Sequence, residues 1–316
     1  MLLTIDSIIK LSPFFKDYIW GGTKLKNILR KNCDYNTIAE SWELSAHPDG
    51  NCIVASGRYS GLSFSRYLEL VGKDVLGRQC ASQQAFPLLI KFIDAEQNLS
   101  VQVHPTDDYA LVHEKEYGKN EMWYIVDSEE SAGVYVGFNK NVDRKEVERR
   151  IVDNTILDIL NFFPTKAGDI FWIPSGTIHA IGAGNLVCEI QQSSNSTYRI
   201  YDYNRKDKFG NPRELHMKKA LDVLDYKKYE PIKREKNYGR IRCKYFEVEL
   251  VEVVGHEKIH LSNDSFYSVT CIKGKGNGKI AMDEVIDISS GDTFFIPATN
   301  NLLFLEGNMT LLITRI

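Results

Sequence analysis

Residues 167–190 read "AGDIFWIPSGTIHAIGAGNLVCEI" and residues 290–313 read "SGDTFFIPATNNLLFLEGNMTLLI". Laid over one another without a gap, Gly168 meets Gly291, Asp169 meets Asp292, Pro174 meets Pro297, Gly184 meets Gly307 and Asn185 meets Asn308. Shared turn residues at one spacing predict two copies of one β unit. His179 of the first copy falls on Leu302 of the second, which predicts one chemically active copy and one structural copy.

Outward from the repeat, apolar stretches such as "FPLLIKFIDA", "EMWYIVDS", "GVYVGF" and "SFYSVTCIKG" are punctuated by Gly, Pro and Asn, the pattern of a β-sandwich or jelly roll. Helical patterns lie between them in "SFSRYLELVGKDVLG" (63–77), "PTDDYALVHEKEYG" (105–118), "DRKEVERRIVDNTILDILNFF" (143–163) and "ELHMKKALDVLDY" (214–226). The basic run "DYKKYEPIKREKNYGR" (225–240) reads as a solvated connector and marks a domain boundary.

Composition excludes several classes of function. The net charge of -3 over 316 residues offers no broad basic field for nucleic acid. No run of about 18 apolar residues is present and the N-terminus lacks a leader pattern, so a cytoplasmic protein without a membrane partner is expected. Six scattered cysteines (33, 52, 80, 188, 243 and 271) fit reduced structural thiols better than a disulfide frame or zinc ribbon.

Within "LSVQVHP" (99–105), Leu99, Val101 and Val103 share one parity and Ser100, Gln102 and His104 the other. A solvated polar face is the ordinary reading of such alternation. Laid against the metal motifs of the cupin superfamily, which "VQVHP" and "IPSGTIHAIG" resemble, Gln102, His104, Glu121 and His179 offer an amide oxygen, two imidazoles and a carboxylate, a donor set suited to Zn²⁺, with Fe²⁺ or Mn²⁺ as alternatives. His113, His216, His256 and His260 read as surface or structural residues, and Glu43 or His47 as possible rim residues beside the turn at Pro48-Asp49-Gly50.

Gly168, Pro174, Gly176 and His179 stand at the spacing of the second cupin motif, which this stretch resembles. "LLIKFIDAEQNLSVQVHP", "GKNEMWYIV", "IPSGTIHAIG" and "CEIQQSSNSTYRIYDYNR" together resemble the type I mannose-6-phosphate isomerase family in its short bacterial form. The resemblance implies a mainly β fold with helical insertions and two cupin-like jelly-roll barrels. Residues 1–230 would form the catalytic cupin domain and 231–316 a metal-free cupin-like domain. It also implies aldose–ketose isomerisation between mannose 6-phosphate and fructose 6-phosphate with one Zn²⁺ per chain, in a monomer or small homo-oligomer. Carried over by residue, the metal ligands are His104, Glu121 and His179, with Gln102 as fourth. Arg199, Glu189 and Lys119 are the catalytic candidates, and Lys91, Ser100 and Arg199 the substrate-binding ones. Asn120 follows Lys119 where longer members have Pro. Other readings are a cupin isomerase of another sugar phosphate, a metal-dependent oxygenase or a non-catalytic sugar-binding cupin.

Overall fold

The computed structural model describes residues 7–206, 210–231, 240–281 and 284–316. Half of the basic connector, residues 232–239, lies outside the described residues. The chain is mainly β. A five-stranded sheet runs in the order Leu160–Pro164, Gly133–Phe138, His179–Ile181, Val101–Val103, Tyr198–Tyr201. A six-stranded sheet runs Ile170–Ile173, Glu121–Ser128, Asn185–Gln192, Leu88–Ala95, Glu40–Leu44, Phe14–Lys16. An eight-stranded sheet holds the C-terminal strands together with Ile9–Ser12 and Ile53–Val54. Among the described residues no strand pairing closes any of these into a ring, so the expected barrels are double-sheet or curled-sheet jelly rolls with free edges.

Burial explains the sequence patterns. Every residue of Leu88–Ala95 and of Asn185–Gln192 is buried, because the six-stranded sheet is covered on both faces. Phe92, Cys188, Ile190 and Met122 pack on one face with Phe246, Phe295 and Leu312 of the C-terminal sheet. Ile93, Val187, Trp123 and Ile125 pack on the other with Val134, Val136 and Ile181 of the five-stranded sheet. The outer face of the five-stranded sheet is roofed by helices Arg144–Val152 and Met217–Val223, where Val101, Val103, Tyr198 and Ile200 meet Val147, Ile151, Ala220 and Leu221. Val101 and Val103 of "LSVQVHP" thus lie beneath helices, Leu99 packs with the cluster between the two sheets, and the polar parity is turned inward.

The repeat holds in its turns. Gly168 and Gly291 adopt φ of 91° and 90°, values that favour glycine. Asp169 accepts from the Lys166 amide at 2.9 Å and Asp292 from the Ser289 amide at 3.0 Å. Beyond the shared proline the correspondence slips by an odd number of residues. Glu189 stands beside lysines in the first unit, whereas its gap-free equivalent Leu312 packs between the sheets. Leu302 is likewise only half-buried opposite His260, and Leu303 and Leu305 fill the second core instead.

Two local expectations change. The helix expected over 143–163 stops at Val152; Asn154 takes φ 56°, a 3-10 turn spans Ile156–Ile159, and Leu160–Pro164 becomes a strand paired with Gly133–Phe138. The helix expected from residue 63 ends at Val71, where Gly72 takes φ 85°. All six cysteines are free thiols, and no helix of the described residues is long and apolar enough to cross a membrane.

Candidate active site

The site lies between the five- and six-stranded sheets. Gln102 is the direct antiparallel partner of His179 on one side and of Arg199 on the other, which sets these residues in one row. From the facing sheet, Lys91 pairs with Glu189 and Glu189 with Trp123, while Glu121 pairs with Gln191. The helix Asp107–His113 is inserted between His104 and Glu121 without separating them, because its ends are stitched. The Lys119 amide donates to the Pro105 carbonyl at 3.1 Å and the Gly118 amide to Asp107 Oδ1 at 2.9 Å. A Cβ on Gly118 would stand 2.5 Å from the backbone of Thr106 and Asp107, so only glycine admits this approach.

His104, Glu121 and His179 are buried, and one ligand atom from each lies within 4.8 Å of the others. Nδ1 of His104 meets the Ser196 carbonyl at 2.9 Å and Nδ1 of His179 meets the Thr177 carbonyl at 2.8 Å. A carbonyl only accepts, so each Nδ1 carries the proton and each Nε2 presents a lone pair. Those Nε2 atoms are 3.3 Å from Glu121 Oε2 and 3.4 Å from Oε1, respectively. Gln102 Nε2 is 3.4 Å and 3.3 Å from the same two nitrogens. Burial, reinforced by Lys119, holds His104 down at about 3, and burial lowers His179 as well, so both rings are neutral ligands. Burial pushes the Glu121 carboxyl up, but the Lys119 ammonium beside it more than reverses this and keeps it ionised. Its Oε1 is buried without a hydrogen-bond partner. An orphaned carboxylate oxygen beside imidazole lone pairs fits a bound cation. The three residues form a metal-binding triad, and the oriented Nδ1–H groups are the usual outer support of such ligands.

Lysines and further carboxylates extend the cluster. Lys119 Nζ is 2.7 Å from Glu121 Oε2, 3.1 Å from His104 Nε2 and 3.5 Å from Glu189 Oε2. Burial pushes Glu189 above the ordinary carboxylate range despite Lys119. Lys91 sits over the Trp42 ring at 4.7 Å, 3.6 Å from Glu40 Oε2 and 4.0 Å from Glu189 Oε2. Ser100 is buried and donates to Gln102 Oε1 at 3.4 Å.

Arg199 closes the row at the sheet edge. Its Nη1 donates to the Glu214 carbonyl at 2.7 Å, and its Nε is buried without a partner. Arg205 and Arg213 both pair with buried Asp202 at 2.5 Å, so one carboxylate is shared between two of the arginines of this corner. Burial, followed by Arg213, lowers the Arg199 value. Sequence reasoning missed Glu40, Asp202 and Arg213; their place is set by pairing across strands and loops far apart in the chain.

The expected bystanders divide. His113 is exposed and stacks on Tyr109, and His256 and His260 are exposed. His216 accepts from the Arg199 amide at 3.2 Å. Glu43 faces away from the site, bonded to Lys31 at 2.6 Å near the C-terminal sheet, and His47 is buried against Glu116.

The phosphomannose isomerase type I catalytic domain matches residues 8–134, and the mannose-6-phosphate isomerase cupin domain matches residues 236–316. The chain is 36% identical over 304 residues to the mannose-6-phosphate isomerase ManA of Bacillus subtilis, covering 93% of this chain and 94% of that protein. It is 32% identical over 305 residues to the mannose-6-phosphate isomerase of Streptococcus mutans, covering 93% of each. The crystal structure of mannose 6-phosphate isomerase from Bacillus subtilis superposes with a TM-score of 0.90 at 34% identity, covering 98% of this chain and 100% of that one. The chain belongs to the type I phosphomannose isomerase family.

Proposed function

We propose that this chain interconverts mannose 6-phosphate and fructose 6-phosphate with one Zn²⁺ held by His104, Glu121 and His179, and with Gln102 as a fourth ligand once its amide turns to bring Oε1, which here accepts from Ser100, toward the two histidine nitrogens. The observation that carries the reading is the buried His104–Glu121–His179 triad with an unsatisfied carboxylate oxygen at its centre. Bound there, the ion would supply Lewis acidity to the carbonyl and hydroxyl oxygens of the sugar.

This chain's residues supply the rest. Moving hydrogen between adjacent carbons by proton transfer passes through a cis-enediol with developing negative charge. Glu189, raised by burial, takes and returns the proton in this reading. Lys119, in contact with Glu121 and Glu189, is the donor to a sugar oxygen in this reading. Arg199 stabilises anionic charge on the enediol or phosphate through its planar fork. Lys91 and Ser100 add a cation and a neutral donor for substrate. In this reading residues 1–230 carry the reaction and 231–316 carry none. In the same reading the protein is a cytoplasmic monomer or small homo-oligomer. Purified protein is expected to form fructose 6-phosphate from mannose 6-phosphate faster than it converts other aldose 6-phosphates. Faster turnover of another aldose phosphate would overturn the substrate assignment.

A further inference from the structure

Glu116 is absent from the triad and from the proposed chemistry, yet it ties together three segments around His104. Its Oε2 accepts from Ser194 Oγ at 3.1 Å, from the Asn195 amide at 3.1 Å and from Ser196 Oγ at 3.0 Å. Its Oε1 lies 3.3 Å from His47 Nε2. His47 Nδ1 accepts from the Asp49 amide at 3.1 Å, so Nε2 carries the proton and donates to Glu116. Asn195 Nδ2 reaches back to Asp49 Oδ2 at 2.8 Å, joining the loop to the same turn.

The loop so held bears the carbonyl that orients a ligand. Ser196 lies between strands Asn185–Gln192 and Tyr198–Tyr201, outside either ladder, and its carbonyl takes Nδ1–H of His104. The Ser196 amide also meets Ser194 Oγ at 3.2 Å and Gln191 Nε2 donates to the Ser194 carbonyl at 2.7 Å, so loss of Glu116 loosens the Ser196 carbonyl and lets the imidazole turn about χ2, which is a broad torsion. We propose that Glu116 is a positioning residue for the metal centre: it clamps residues 194–196 so that the Ser196 carbonyl keeps His104 Nε2 aimed at Glu121, and His47 braces Glu116. The proposal rests on His104 being a metal ligand. Hydrogen bonding holds the Glu116 carboxyl down at about 2, led by His47, which keeps it an acceptor throughout the neutral range.

The test is the Zn²⁺ dissociation constant, measured by competition with a chromophoric chelator, beside the Tm of the chelated protein. Glu116→Gln keeps the side-chain volume and removes the charge; it is expected to weaken Zn²⁺ binding about 10- to 100-fold, the range for lost outer support of a ligand. Ser194→Ala with Ser196→Ala keeps the carboxylate, and is expected to weaken binding in the same direction by a smaller factor. A lower Tm with the dissociation constant within twofold of wild type would make Glu116 merely structural and overturn the proposal. Should Glu116→Gln fail to fold, the serine pair decides by the same criterion. His104→Ala separates the two levels: equal Zn²⁺ affinity in this variant and wild type would overturn the metal-ligand reading itself.

Discussion

His179 and Arg199 flank Gln102 in one antiparallel row, two strand spacings apart on the inner face of the five-stranded sheet. At about 4.8 Å per spacing the two backbones are about 10 Å apart, so a sugar phosphate can meet the triad at one end and the guanidinium at the other. Arg199→Ala is therefore expected to retain metal and lose about 10²- to 10³-fold in turnover, the cost of removing one fixed donor to developing charge. Metal content and steady-state rates of the purified variant decide it; retained turnover removes Arg199 from the mechanism.

The triad itself is expected to fail as a unit. His104→Ala, Glu121→Ala and His179→Ala each remove one donor from a buried set, and each is expected to lose bound metal and activity together. Elemental analysis alongside the isomerase assay checks this. A variant that lost its metal yet turned over at the wild-type rate would separate binding from catalysis.

Protonation gives a third prediction. Burial holds His104 at about 3 in the folded chain, against about 6.5 when unfolded. Because the folded value is depressed, the stability that neutral His104 contributes is complete above about 6.5 and is lost as pH falls toward the folded value. Metal-free protein should lose about 1.4 kcal/mol per pH unit from this residue below pH 6.5. Denaturant midpoints between pH 6.5 and 5 measure it; His104→Gln should show a shallower slope, and an unchanged slope would contradict the assignment.

A buried ion pair of the N-terminal half reaches across to the C-terminal sheet. Lys31 Nζ lies 2.6 Å from Glu43 Oε1 and donates to the Gly291 carbonyl at 2.6 Å, reaching the C-terminal sheet. Burial raises the Glu43 carboxyl even with Lys31 beside it. Lys31→Met strands that carboxyl and is expected to cost about 3–5 kcal/mol, measured by denaturant unfolding. A cost below about 1 kcal/mol would show that the pair contributes little to the join.

The parity of Ser100, Gln102 and His104 was legible because a strand has two faces, and the turn residues at Gly168 and Gly291 because positive φ selects glycine. What periodicity could not carry was pairing between distant segments. Ile9–Ser12 joins the C-terminal sheet by pairing with Thr293–Phe295. Glu40 reaches Lys91 only across strands, and Asp202 gathers Arg205 and Arg213 through a loop. The slip after Pro297 was hidden as well, since one residue reverses inside and outside while leaving the apolar composition unchanged.

The most direct test of the account is a coupled assay of mannose 6-phosphate conversion to fructose 6-phosphate on protein as purified, after chelation and after Zn²⁺ is restored. The account predicts activity that disappears with the chelator and returns with the metal. Full activity in folded protein shown to be free of metal would contradict it, as would no activity in protein whose triad is loaded.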